Sequence, residues 1–211
     1  MFNYLIRVQL PDRPGALGAV ASRIGSVGGD VVSIEILQRD GGVVVDELGV
    51  GLRVDHLIDL LRDEILEVDG VVIESVRPVD GALPDRHTEL LEVATELFKQ
   101  DSSTGLLEHL TVRVCRSLAA NYSAVLDTDA WRVAASHGDL PEPDKLTAVA
   151  LQAMSPPPDA VEMDGTVATA LLVSADLILV VGRIHPVLRD RERQWISIMA
   201  ELADHGWQEL A

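Results

Sequence analysis

The residues best placed to do chemistry lie between Leu10 and Leu17, in the stretch Leu-Pro-Asp-Arg-Pro-Gly-Ala-Leu. A proline and a glycine beside an aspartate, just ahead of apolar residues at helical spacing, mark a turn into a helix. The first N–H groups of a helix have no acceptor within it, so such a turn can hold a small molecule through its carboxylate. Asp12 is expected to cap this helix, and Pro14 suits its first turn, where a missing N–H costs nothing.

The remaining candidate residues form no catalytic set. The histidines are His56, His87, His109, His137, His185 and His205, and no two share the spacing of a metal pair, so each reads as solvated or satisfied. Cys115 is the single cysteine, which excludes an intramolecular disulfide and a multi-thiolate metal site; its helical surroundings make it a small core residue. Gly49-Val50-Gly51 carries the first two glycines of a dinucleotide fingerprint, but inside an expected strand. Asp63, Glu64 and Glu67 read as a solvated helix face, and Arg189 to Arg193 as a helix start. With no Gly-x-Ser-x-Gly and no phosphate loop, the expectation is a protein that is not an enzyme and has no cofactor and no metal.

The elements that must position the turn are legible. Residues 2–10 alternate around Tyr4, Ile6, Val8 and Leu10 as a strand. Leu17, Val20, Ala21, Ile24 and Val27 give one helical face, ended by Gly28-Gly29. Asp30 to Arg39 and Val43 to Leu52 read as strands joined at Asp40-Gly41-Gly42. A helix built on Val54, Leu57, Ile58, Leu61 and Ile65 closes at Asp69-Gly70, and a strand covers 71–79. The order β-α-β-β-α-β in about 80 residues is the ferredoxin-like split arrangement.

Residues 3 to about 79 resemble the ACT domains, most specifically in Leu-Pro-Asp-Arg-Pro-Gly-Ala-Leu and in Gly-Gly-Asp-Val-Val-Ser-Ile-Glu-Ile from Gly28. The resemblance implies a regulatory module that binds amino acids and pairs through its sheet, with the ligand at the subunit interface. It points to Leu10, Asp12, Pro14, Gly15, Ala16 and Leu17 in the turn and to Asp30, Val31 and Val32 facing it from the partner. The N–H groups near Gly15 to Leu17 would take the ligand carboxylate, and Asp12 its ammonium group. Position 30 is Asp where amino-acid-binding members often place Asn. An ionised Asp only accepts hydrogen bonds, so either the ammonium shifts towards Asp30 or no amino acid binds.

Residues 81–86 read as a linker between a first domain over 1–80 and a second over 87–211. In the second, helices are expected over 87–100 and 105–120, then a hairpin (123–128 and 131–136) left through a loop at His137-Gly138-Asp139. A helix over 143–154 ends at Pro156-Pro157-Pro158, a second hairpin spans 166–174 and 177–184, and a long helix opens at His185-Pro186. That order predicts a mainly antiparallel sheet with helices on one face. It is similar to GAF domains over about 87–209, without the nucleotide-binding signature of the phosphodiesterase members.

The chain has 211 residues, is 47% apolar and carries a formal net charge of −17, of which −7 falls in residues 1–80. That composition is globular, and that field repels nucleic acid and anionic membranes. The start of the chain lacks a signal-peptide pattern, and no apolar run approaches the roughly 20 residues of a membrane span. The expected protein is therefore cytoplasmic and α+β. It is a homodimeric regulatory sensor for a small molecule, an amino acid by preference, with a possible protein partner. A ligand-free dimerisation scaffold is the alternative.

Overall fold

The structure is a computed structural model that describes residues 1–154 and 166–210. The chain divides into two compact units, Met1–Pro84 and Asp85–Ala211. Each is a mixed α and β unit with one four-stranded antiparallel sheet.

The first unit runs β1 (Phe2–Pro11), α1 (Ala16–Ser26), β2 (Asp30–Asp40), β3 (Val43–Leu52), α2 (Ile58–Leu66) and β4 (Val72–Val79), with a short 3-10 turn at Asp55–Leu57. The strand order β2-β3-β1-β4 places the two ends of the β1-α1-β2 crossover on strands separated by β3. Even-numbered residues of β1 and β3 share one face with the inner side of both helices. Ile6, Val8, Leu48, Val50, Leu52, Val20, Ile24, Leu61 and Ile65 are all sealed there. At one end of this core the Tyr4 hydroxyl donates to Asp55, and together with burial and the nearby acids this pushes its pKa up to about 12.

Local chemistry sets the boundaries. Gly28 has a positive φ of 79°, and the N–H groups of Gly28 and Gly29 donate to the carbonyls of Gly25 and Ile24, a double closure that ends α1. Gly41 and Gly42, at φ 61° and 80°, make the two-residue turn that sets the β2–β3 register. Gly49 and Gly51 serve close packing. A Cβ on Gly49 would lie 2.2 Å from Ser33 Oγ, and one on Gly51 2.8 Å from Met1 Sδ. Their place inside β3 leaves no turn for a dinucleotide.

The second unit contains α3 (Arg86–Leu97), α4 (Ser103–Ser117), β5 (Tyr122–Asp127), β6 (Val133–Gly138), α5 (Pro143–Met154), β7 (Val167–Leu172), β8 (Leu177–Gly182) and α6 (Asp190–Leu210). The sheet order is β6-β5-β8-β7. Helices cover both of its faces, not one as the element order suggested. Val125, Leu179 and Val181 pack with α4 and α6, while Ala124, Leu126, Ile178 and Val180 pack under Leu146 and Ala150 of α5. The physical reason is that β8 is apolar along its whole length and β5 buries Ser123 to Leu126 on alternating faces, so both faces need cover.

Other expectations are corrected. His137 and Gly138 belong to β6, and Trp131, at φ 50°, lies in the turn before it, where Asp127 accepts the N–H groups of Asp129 and Ala130. The last helix begins at Asp190, not at His185-Pro186. The carbonyls of Pro186 and Val187 are committed to the guanidinium of Arg183 at 2.6 and 2.9 Å, which holds that segment outside the helix. Pro156, Pro157 and Pro158, expected to end α5, lie outside the described residues.

Candidate functional site

The turn between β1 and α1 places its groups differently from the sequence expectation. Asp12 does not cap α1. Its N–H donates to the Gly42 carbonyl at 2.8 Å, which prolongs the sheet, and its carboxylate pairs with Arg39 Nη2 at 3.0 Å. The cap position is Gly15, in the left-handed conformation at φ 87° and without a side-chain bond to the helix. Glycine holds that conformation without strain and brings no oxygen of its own.

The consequence is a set of free donors. The N–H of Ala16 is turned back to the Arg13 carbonyl at 3.3 Å. Among the described residues, no acceptor takes the N–H groups of Gly15, Leu17 or Gly18. Nothing lies within 4 Å of the Cβ position of either Gly15 or Gly18, so the approach is open. Ala16, the first residue of α1, and Leu10 of β1 are buried in the core, while Leu17 is half-buried and Pro14 exposed. Gly15, Leu17 and Gly18 thus form an anion-accepting notch, reinforced by the positive end of the helix dipole.

Asp30, Val31 and Val32 do not join that notch within one copy. Asp30 pairs with Gly51 and Val31 with Val50, whereas Leu10 pairs with Val44 at the opposite end of β3. Val32 is 56% exposed at a bulge in β2 between Val31 and Ser33. Together with Ile34 and Ile36 it forms an exposed apolar strip on a strand that is a free edge of the sheet.

Several charged residues buried within the units were not singled out from sequence. Arg7 Nη2 meets Glu47 at 3.1 Å on the sheet face away from the helices, both nearly inaccessible. Asp46 is 2% exposed, and no hydrogen bond of the described residues reaches its carboxylate; burial pushes its pKa up, with Arg39 opposing. In the second unit, Arg183 holds Glu192 through two bonds of 2.7 and 2.8 Å and also donates to the Leu118 carbonyl. Glu192 additionally accepts the N–H of Arg189 at 2.8 Å, the backward half of a capping box at the start of α6. A signal for Asp46 existed. The alternation Val44, Asp46, Leu48, Val50 puts a carboxylate in register with the core.

Elsewhere the candidates are structural. His109 bonds Glu96 at 2.8 Å, and the buried Cys115 thiol, its pKa raised by burial, donates to the Ala120 carbonyl. Among the described residues no group of three or more His, Cys, Asp or Glu could hold a metal ion, and no helix is long and apolar enough to cross a membrane. A shallow depression of about 270 Å³ runs along α3 past Thr88, Leu91, Glu92, Thr95, Glu96 and Lys99. It is the outer side of one helix, with no convergent groups.

No protein-family model matches the chain. The structure is similar to the GAF domain of a phosphoenolpyruvate-protein phosphotransferase from Coxiella burnetii, at 14% identity and a TM-score of 0.44 over 58% of this chain and 92% of that one. It is also similar to the bacteriophytochrome RpBphP3 from R. palustris, at 11% identity and a TM-score of 0.42 over 82% and 42%. An unknown protein from Galdieria sulphuraria matches at 16% identity and a TM-score of 0.34 over 59% and 71%. With every TM-score below 0.5, the description of the fold rests on the strand order and packing given above.

Proposed function

We propose that this chain is a non-catalytic regulatory protein whose first unit, an ACT-type ferredoxin-like module, binds a small molecule at the start of α1, an amino acid by preference. The observation that carries the reading is the triad of N–H groups at Gly15, Leu17 and Gly18 with no acceptor in the protein. Gly15 and Gly18 are exposed and Leu17 is half-buried, so these donors stand open to a ligand, and a carboxylate satisfies several at once. The interleaved β-α-β order and the antiparallel sheet β2-β3-β1-β4 support the ACT-type reading. A second copy, placed against the exposed edge of β2, would close the notch with its Asp30, Val31 and Val32. The second unit, GAF-like in its order of elements, would relay the bound state or hold a protein partner.

The test is thermal unfolding of the full chain against each of the twenty L-amino acids. Binding to the folded state raises the melting temperature by mass action, about 2.7 kcal/mol of stabilisation at a hundred times the dissociation constant. No shift with any of them would refute the reading.

A second reading, a ligand-free dimerisation scaffold, is favoured by Val32, Ile34 and Ile36, each about half exposed on one edge strand. Sedimentation decides between a pairing and a solitary chain. A monomer at micromolar concentration would remove both readings, since each relies on a second copy.

A further inference from the structure

We propose that the outer face of α3 is a self-docking surface, on which a second copy of this chain lays its own α3 antiparallel about a two-fold axis at Thr95. The pairing belongs to the second unit and needs neither a ligand at α1 nor the edge of β2.

The residues of α3 divide between two faces. Leu90, Val93 and Leu97 pack into the core of the unit. On the opposite side Thr88, Leu91, Thr95 and Phe98 recur at steps of three, four and three residues, the spacing of a coiled-coil seam. Phe98 is the residue that ends the helix and is still in helical conformation. Leu91 is 69% and Phe98 56% exposed, and Thr88 and Thr95 are exposed as well. Among the described residues neither α4 nor α6 exposes a large apolar side chain, so the seam is confined to α3. A leucine and an aromatic ring left in water along one line of a helix mark a contact surface, with the ring as its anchor.

Charge decides the occupant. One residue beyond each anchor, on the same flank of the seam, stand Glu92 and Lys99. Lys99 is one of two lysines in the chain. It is exposed, and among the described residues its ammonium group makes no hydrogen bond or ion pair. The Glu92 side chain is 62% exposed and comes no nearer to Arg113 than 4.0 Å. The neighbouring Glu96 is already held by His109 and Arg113 of α4 at 2.8 and 3.1 Å. The midpoint between Leu91 and Phe98 and that between Glu92 and Lys99 fall half a residue to either side of Thr95, about 0.8 Å along the helix. One two-fold axis at Thr95 therefore sets Leu91 against Phe98 of the second copy and Glu92 against its Lys99, each contact occurring twice. A parallel partner would set Glu92 level with Glu92, and a basic helix of another protein would leave Lys99 facing like charge. Two copies each carrying −17 repel, but at about 0.15 M salt the screening length is about 8 Å, so the charges in contact set the register.

A three-turn seam, about 18 Å long, is short for a standard interface of roughly 800 Å² per partner, so cross-linking is the way to capture the pairing. In the full chain, Thr95→Cys puts a thiol on the axis, and a short bis-maleimide should yield a covalent dimer. Thr88→Cys, also exposed, lies seven residues away, so its two copies stand about 21 Å apart and should not link. The native Cys115 is buried and takes no part. Adding Leu91→Glu to Thr95→Cys should cut the yield at least tenfold. Adding Glu92→Lys or Lys99→Glu alone should cut it about fivefold, two exposed pairs being reversed at once. An equal mixture of those two charge variants should recover the yield, because each supplies the charge that the other lacks. Linkage through Thr95→Cys no better than through Thr88→Cys overturns the proposal and leaves the face to a different partner. A yield indifferent to Leu91→Glu, or a mixture no better than its components, overturns it too. None of these results bears on amino-acid binding at α1, which the thermal titration decides separately.

Discussion

At the scale of single residues, the molecule is governed by charges held away from water. Arg183 and Glu192 are 4% and 0% exposed, yet every side of the guanidinium has an acceptor: two carboxylate oxygens and the carbonyls of Leu118, Pro186 and Val187. Removing one member strands the other. Glu192→Ala should therefore destabilise the second unit by about 3–5 kcal/mol, read as a drop in the denaturation midpoint. Asp46 is the opposite case, a buried carboxyl without such company. Its folded-state pKa is raised by burial, so its contribution to stability is present in acid and lost as pH rises through that raised value. Asp46→Asn escapes this loss. The variant should melt above the wild type at neutral pH, and the gap should close as pH falls towards the ordinary carboxyl range, measured by calorimetry across pH.

At the scale of elements, the decisive device is a helix that starts without a side-chain cap. Gly15 supplies the left-handed turn and no oxygen, and the first turn of α1 carries no acidic residue. Position 18 is the third residue of α1, where a glutamate can reach back to the N–H of the cap residue. Gly18→Glu meets open space. It also replaces the poorest ordinary helix former and adds a negative charge at the positive helix end, gains of about 0.5–1 and 0.3–1 kcal/mol. The expected outcome is a higher melting temperature together with loss of any amino-acid-induced shift, because the protein's own carboxylate then occupies the notch. A Gly18→Glu variant that still responds to the ligand would place binding elsewhere. The α6 start shows the contrasting solution, where Glu192 reaches back to the Arg189 N–H and leaves that donor satisfied.

At the scale of the whole molecule, a net charge of −17 is shared between the units, so the folded chain repels itself. Raising ionic strength from about 10 to about 150 mM shortens the screening length from about 30 to about 8 Å. The melting temperature should rise over that range, followed by scanning calorimetry at constant pH. A fall would mean that surface ion pairs such as Arg23–Glu64 and Arg39–Asp12 outweigh the repulsion. The sequence by itself determined what is written in local chemistry. The periods of Tyr4 to Leu10 and Leu17 to Val27, the glycine stops at Gly28 and Gly41, and the element order of both halves follow from side-chain spacing and φ preferences a few residues long. Whether a given polar group meets a partner depends on residues far away in sequence, and that was left to the tertiary structure. Gly42, thirty positions on, draws Asp12 into the sheet, and Arg39 takes its carboxylate, so the cap read from sequence does not form. Strand pairing of Val8 and Ile36 on either side of Asp46 encloses a charge that composition alone would assign to the surface. Helices settled on both faces of the second sheet because β8 is apolar throughout and β5 buries Ser123 to Leu126 on both sides, a requirement met only once the strands lie together at its centre.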